Sequence, residues 1–363
     1  MRLALRELRR RPSRFTVATV VLTFLTLLLL LLGGLLDGLY LGSTGAIRAQ
    51  QADVIVYSSN ARDSFLRSRL DGEVRSVVEA VDGVSEVGGL GVLLLGGEVP
   101  GSDDIADVAV AGYETPPRGV PAVPPAGHGW ADERLRDAGV EVGDTVLVGP
   151  ARTPITVDGF VSDTNYLLQG GLWVDLATWR NTQNANRPDA FVPDDVVQVL
   201  VVSGSGDLAA AIDAATDGAT STLTRDEAVG ALPGVKEQDA TFSAIIYSTI
   251  VVVLAVVGLF FSLLTLERTA LYGVLKAVGA RTRTLFGGVV TQAVTVALIA
   301  FVLGSLLALL AGAALPAGIP LQLTPGRFVF TLVALVVAAV LGSAISLRRV
   351  IRIDPASAIG SAS

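Results

Sequence analysis

The sequence predicts an α-helical membrane protein with four transmembrane helices. An α+β domain, a split α+β lobe with a β-rich insertion, lies between the first and second of them. Three observations carry this. Four long uncharged stretches occur, and about 20 apolar residues suffice to cross a bilayer as a helix. Between the first two lies a polar segment of about 200 residues, ample for a core of its own. Charge is also segregated: residues 43–240 hold 30 acidic and 13 basic side chains, net −17, and the remainder holds 4 acidic and 14 basic, net +10. A basic set of ends and an acidic middle are easiest to place on opposite sides of a membrane, the basic ends inside. Of the 363 residues, 51% are hydrophobic. The mean hydropathy is +0.59, between soluble and all-membrane chains. The chain has no Cys and one His, which excludes disulfides, thiolate metal sites and a multi-His metal centre within one chain.

Residues 1–14 carry six Arg and one Glu. They read as a cytoplasmic amphipathic basic segment on the lipids of the inner leaflet. The first span is placed at 15–42. Phe15–Leu36 is uncharged, too long for a signal-peptide core, and Asp37-Gly38-Leu39-Tyr40 is no small-residue cleavage site, so an uncleaved anchor is expected. Gly34, Gly38 and Gly42 recur every four residues, as a homodimer seam or as packing within the chain. Asp37 reads as a solvated end cap.

The extracytoplasmic domain is placed at 43–242. Strands are predicted at 52–57, 87–95, 105–110, 171–174, 196–202 and 221–223, a hairpin at 144–148 and 153–161, helices at 71–81, 130–138 and 207–215, and a helical turn at 176–182. Thr115–Gly129, with five Pro, is a loop. The strand–helix–strand stretches at the two ends suggest one α+β lobe, with a small β insertion between them. His128, in the PPAGHGW loop, reads as a surface residue rather than a ligand. Trp130, Trp173 and Trp179 read as packing residues, and Asp103-Asp104 and Asp194-Asp195 as solvated loop charge.

Spans follow at 243–266, 285–312 and 328–347, with an outer loop at 313–327 and a cytoplasmic tail at 348–363. Small-residue stripes mark the last two, at Gly304, Ala308 and Gly312, and at Ala338, Gly342 and Ser346. Between the second and third spans lies a short basic connector, 267–284, in which Gly273, Lys276, Ala277, Gly279, Arg281 and Arg283 fall in a helix-then-turn pattern.

That connector, GVLKAVGARTRTL, resembles the signature loop of the FtsX-like/MacB-like permeases, the membrane subunits of a class of ABC transporters. Gly273, Leu275, Lys276, Ala277, Gly279 and Ala280 match the family pattern; an acidic residue often found two places before the first Gly is here Leu271. VGDTVLV with ITVDGFV, and the terminal DPASAI, are similar to further family elements. The resemblance is to the short four-span branch that includes haem and glycolipid exporter permeases. It implies a homodimer served by two copies of a separate P-loop ATPase, with Gly273, Leu275, Lys276, Ala277, Gly279, Ala280, Arg281 and Arg283 as the ATPase-coupling set.

Absences point the same way. No G-x-x-x-x-G-K-[ST] occurs, so ATP and Mg would be bound by the partner, and no cofactor is expected in this chain. No G-x-S-x-G or H-E-x-x-H occurs, so no catalytic activity is expected. No ionisable residue sits mid-span, unlike an ion-coupled carrier. The expected role is a cell-membrane permease, both termini cytoplasmic, moving an amphiphilic cargo such as haem, lipid, peptide or drug. The alternative is an ATP-driven signalling or hydrolase-regulating protein that transports nothing. Nucleic acid is not an expected partner.

Overall fold

The computed structural model describes residues 12–101, 104–232, 235–267, 282–316 and 319–351. The chain divides into two compact units, Met1–Gly38 with Asp239–Ser363, and Leu39–Gln238.

The first is the membrane unit. Its helices are α1 (Pro12–Arg48, which runs on into the second unit), α7 (Val235–Glu267), α8 (Thr282–Ala314) and α9 (Pro325–Ile351). All four are long and apolar enough to cross a membrane. Leu22, Leu29, Val253, Val257, Val296, Ala300, Leu335 and Ala339 form the shared core. Leu, Val and Phe elsewhere on the helices stay exposed, as suits surfaces facing lipid. Small residues sit where helices approach closely. Gly304 of α8 lies against Thr23 and Thr26 of α1, and Gly342 of α9 against Val257 and Gly258 of α7. The hydroxyls of Thr26 and Thr249 donate to the carbonyls four residues back, at 2.7 and 2.8 Å. That satisfies them without water.

The second unit is the α+β domain. Its strands are β1 (Val54–Ser58), β2 (Val84–Glu98), β3 (Ile105–Tyr113), β4 (His128–Asp132), β5 (Thr145–Val148), β6 (Thr153–Val161), β7 (Gly170–Asp175), β8 (Val199–Gly204) and β9 (Thr220–Thr224). Between them come α2 (Gly72–Glu79), α3 (Glu133–Asp137), α4 (Leu176–Asn186) and α5 (Leu208–Ala215), and α6 (Arg225–Ala231) follows β9. Side-chain caps fix where these helices start: Asp71, Asp132, Asp175 and Asp207 each accept from a first-turn amide, and Thr224 forms a capping box with Glu227.

The nine strands form one network, ordered β3-β7-β4-β6-β5-β2-β8-β1-β9, with β3 also paired to β2. That extra pairing closes β2, β3, β7, β4, β6 and β5 into a six-stranded barrel. The 15-residue β2 belongs to both parts. Its first half pairs with β8, its second half with β3, and Gly97-Glu98 with β5. The β-rich insertion is therefore fused to the α+β lobe through a shared strand. Alternation sorts the side chains. Val108 and Val110 face the barrel core with Val146, Ile155 and Leu172, whereas Ala109 and Ala111 join Ile55, Tyr57, Phe65, Tyr113 and Trp173. Val54 and Val56 pack with α2 and α5 through Val78, Leu208 and Ile212.

The hairpin of β5 and β6 forms as expected, and Trp173 and Trp179 are fully buried. Three expectations are corrected. Trp130 lies in strand β4, paired with Trp173, and the helix begins only at Glu133, where Asp132 caps it. The turn at 176–182 is an 11-residue helix. A helix also follows β9, where the sequence analysis predicts none.

Candidate functional site along the first helix

Asp37 lies where the uncharged run of α1 ends. Arg327, in the first turn of α9, donates from Nε to Asp37 Oδ2 at 3.2 Å and from Nη2 to Oδ1. Thr324 Oγ1 donates to Asp37 Oδ2 at 2.9 Å. The side chains of Arg327 and Asp37 are 15% and 20% exposed. Asp37 is thus no solvated cap but half of a bidentate, largely buried pair, with the Arg327 guanidinium also 5.7 Å from the Phe330 ring centroid.

Two glycines of the stripe, Gly34 and Gly38, face the same neighbourhood. Gly34 lies against Leu321 and Leu323, and the Gln322 amide donates to the Gly34 carbonyl at 2.9 Å. Gly38 meets the Pro320 backbone so closely that a Cβ there would overlap its carbonyl. Gly42 lies against Leu168 and Arg134. Each of the three glycines thus packs against a neighbour within the chain.

Beyond Gly42, α1 is held by the loop between β6 and β7. Leu168 and Leu167 donate their amides to the carbonyls of Gly42 and Ser43, at 2.9 and 3.1 Å, and the Ala46 amide donates to the Asn165 carbonyl at 2.9 Å. Arg48 donates from Nη1 to Asp163 Oδ2 at 2.9 Å and also bonds Asp163 Oδ1 through Nη2. Asp132, 2% exposed, accepts from the Thr164 amide at 2.9 Å, the Thr164 hydroxyl at 2.7 Å and the Arg134 amide at 3.0 Å. It ties this loop to α3.

A groove of about 340 Å³ runs between α1 and α7, lined by Leu25, Leu28, Ala244, Ile245, Ser248, Thr249 and Val252. Its walls are apolar, with two hydroxyl side chains. His128 pairs with Thr156 just before the register shift at Gly129/Trp130 between β4 and β6, its Nδ1 2.7 Å from Asp158 Oδ1. Among the described residues no group of three His, Cys, Asp or Glu could hold a metal ion.

Of the predicted coupling set, Gly273, Leu275, Lys276, Ala277, Gly279, Ala280 and Arg281 lie outside the described residues, and Arg283 falls in the first turn of α8. The Asp37–Arg327 pair and the Arg48–Asp163 pair escape sequence reasoning, because their partners are 290 and 115 residues apart.

Residues 243–355 match the model of the FtsX-like permease C-terminal domain. An uncharacterised ABC transporter permease of Mycobacterium tuberculosis is 28% identical over 373 residues, covering 98% of each chain. A Staphylococcus epidermidis protein named as a hemin transport system permease is 26% identical over 139 residues, 38% of this chain and 40% of that protein; the match thus spans two fifths of that relative's length. A Staphylococcus haemolyticus protein of the same name is 19% identical over 367 residues, 99% of each. Among solved structures, the periplasmic region of MacB from Actinobacillus actinomycetemcomitans aligns with a TM-score of 0.35 at 14% identity, over 50% of this chain and 92% of that one. The extracellular domain of the transporter YknZ aligns at 0.33 and 11%, over 47% and 99%. With its four candidate spans and the α+β domain between the first two, the chain is thus similar along its length to ABC transporter permeases, and its residues 243–355 match the FtsX-like permease C-terminal domain.

Proposed function

We propose that this permease couples ATP hydrolysis by a separate P-loop ATPase to the extrusion or extracytoplasmic movement of an amphiphilic cargo. The observation that carries the reading is the match of 243–355 to the FtsX-like C-terminal domain, which takes in the basic connector as well as the last three spans. The chain has no phosphate-binding loop of its own. ATP and Mg therefore belong to the partner, two copies of which would serve a homodimer with its two connectors. The α+β domain, net acidic, lies outside, and the basic ends and connector lie inside. An amphiphile suits the apolar groove between α1 and α7 with its hydroxyls from Ser248 and Thr249. The hemin named for the staphylococcal relatives is one such cargo.

The test is reconstitution. The purified chain alone should hydrolyse no ATP, and it should form a stable complex with a separate, co-expressed P-loop ATPase. In proteoliposomes carrying hemin, the complex should move hemin in an ATP-dependent way. Failure to bind the ATPase, or hydrolysis by the isolated chain, overturns the reading. A coupled complex that moves neither hemin nor fluorescent phospholipid removes the transport half of it.

A further inference from the structure

Beyond the end of α1, the α+β domain uses its aromatic side chains in its own core, with one exception. Of its nine Phe, Tyr and Trp residues there, Tyr57, Phe65, Tyr113, Tyr166, Trp173 and Trp179 are buried, and Trp130 and Phe160 are half-buried. Phe191 is 66% exposed. It lies in the segment between α4 and β8, beside the Asp194-Asp195 pair that the sequence analysis reads as solvated charge.

A lone exposed apolar residue on a loose loop needs no explanation. This segment is held. The Val192 amide donates to Asn184 Oδ1 at 2.7 Å, and Asn184 Nδ2 donates to the Val192 carbonyl at 3.0 Å, so one side chain of α4 grips both main-chain groups of one residue. Gln183, also of α4, donates from Nε2 to the Ala190 carbonyl at 3.2 Å. The Val192 side chain is fully buried in the barrel core. Pro188, which opens a single turn of 3-10 helix at Pro188–Ala190, and Pro193 restrict the backbone on either side. Residues 190 and 192 are thus tied to α4, and Phe191 between them is turned to solvent. An aromatic ring held in place beforehand loses little entropy when a partner covers it.

The surroundings select that partner. Asp189, Asp194 and Asp195 lie within four residues of Phe191 and are all exposed. Arg180 of α4 comes no nearer to Asp194 than 3.9 Å, and Arg187 is turned to the Leu94 carbonyl at 3.3 Å. Anionic lipid would meet carboxylates here, and a second copy of the segment would set carboxylate against carboxylate. A protein pocket with an apolar floor and a cationic rim satisfies both the ring and the three charges.

We infer that the 188–195 segment is a docking loop, anchored by Phe191, for a basic protein that presents an apolar pocket rimmed by Lys and Arg. This goes beyond the permease reading; only the extracytoplasmic location of the partner rests on the topology proposed there.

The test is site-specific photocrosslinking of the full chain in intact cells. Phe191→p-benzoylphenylalanine is the probe, and the same replacement at Val142, exposed on the same domain, is the control. Irradiation should give one discrete protein adduct from position 191 and none from 142. Mass spectrometry should identify a partner rich in Lys and Arg, and Asp194→Lys/Asp195→Lys should abolish the adduct. That partner, once purified, should bind the parent chain in nanodiscs and bind it less tightly as salt rises. Phe191→Ser should weaken binding about ten-fold or more, with the circular dichroism unchanged. The docking loop is overturned by the absence of a protein adduct, by adducts to lipid or to a second copy alone, or by an equal adduct from 142. Binding that ignores the charge reversal, or that Phe191→Ser leaves intact, overturns it as well. A cytoplasmic partner that passes every one of these tests overturns the topology and leaves the docking loop standing.

Discussion

Arg327, at the start of the fourth span, holds both carboxylate oxygens of Asp37, at the end of the first. With Thr324 as a third partner, the pair pins two span ends that hydrophobic packing alone would leave free to slide. Removing one partner strands the other in a site of low exposure, a cost of about 3–5 kcal/mol for a fully buried pair and less for this one. Asp37→Asn or Arg327→Gln should therefore lower the unfolding temperature in detergent clearly. The double variant Asp37→Asn/Arg327→Gln should be no worse than the poorer single one. Full additivity of the two losses would show that the residues do not act as a pair.

Gly38 sits beneath the Pro320 carbonyl with no room for a methyl group. Gly38→Ala should force the 320–323 segment away, at a cost of about 1–3 kcal/mol for overpacking. It should do so in the isolated protomer. Thermal unfolding and size-exclusion chromatography across protein concentrations separate the outcomes. A concentration-independent loss of stability places the contact within the chain, whereas a shift of the dimer equilibrium alone would place it in a seam between copies.

Among the described residues β9 is the free edge of the sheet network, and Asp213 of α5 closes it. Its carboxylate accepts from the Thr222 amide at 3.2 Å and from the hydroxyls of Thr222 and Thr220 at 2.7 and 2.8 Å. The next outward amide, that of Thr224, donates to Glu227 at 2.9 Å. Open edges invite pairing with other chains. Asp213→Ala should cost about 1–3 kcal/mol through unmet donors and raise light scattering on mild heating. A variant as soluble and as stable as the parent would show that Asp213 does not guard the edge.

The spans were legible because uncharged runs of that length have few other uses, and most strands because Val and Ile recur at period two. What the sequence hid were consequences of contact. Hydropathy ends the first span near Asp37, and Gly38, Gly42 and Gly45 discourage a helix. The helix nevertheless reaches Arg48, because those glycines admit the 320–323 segment and the 163–168 loop. Trp130 looks helical beside Asp132-Glu133-Arg134, yet its pairing with Trp173 holds it in the sheet until the Asp132 cap starts α3. One signal was available and missed: Asp37 and Arg327 are lone charges of opposite sign, each at the end of an apolar span. The connector, the most specific motif in the sequence, lies almost wholly outside the described residues.

Burial pushes the Tyr113 hydroxyl up from its ordinary 10.0 to about 12, where it donates to the carbonyls of Pro121 and Ala122. Burial also raises Tyr57, with Tyr166 and Asp63 adding to the effect. For a group whose folded value is raised, the stability it confers is complete below pH 10 and is lost as the pH climbs through about 12. An alkaline titration of the full chain in detergent should show no phenolate signal from Tyr57 and Tyr113 near pH 10. Their signals should appear with unfolding. Tyr113→Phe should leave the absorbance change near pH 10 unaltered; a smaller change there would mean that Tyr113 is open to solvent.

The connector carries the last prediction. A charged anchor and a docking helix differ in their response to a change of shape at constant charge. Gly279 follows Gly273–Val278 where a helix would end, and a helix terminus favours a left-handed residue that only Gly adopts cheaply. Lys276, Arg281 and Arg283 would supply the charge in either case. Gly279→Val keeps all three cations, so an anchor should tolerate it, and membrane insertion should be normal under both readings. A docking helix should lose its seat on the ATPase. The complex should then show a loss of coupled hydrolysis and of ATP-dependent cargo movement, with expression and insertion intact. Lys276→Gln, which removes charge and keeps the helix, should have the milder effect on coupling. If instead Gly279→Val stimulates its ATPase like the parent and Lys276→Gln does not, the connector acts through its charge, and the shaped docking helix is wrong.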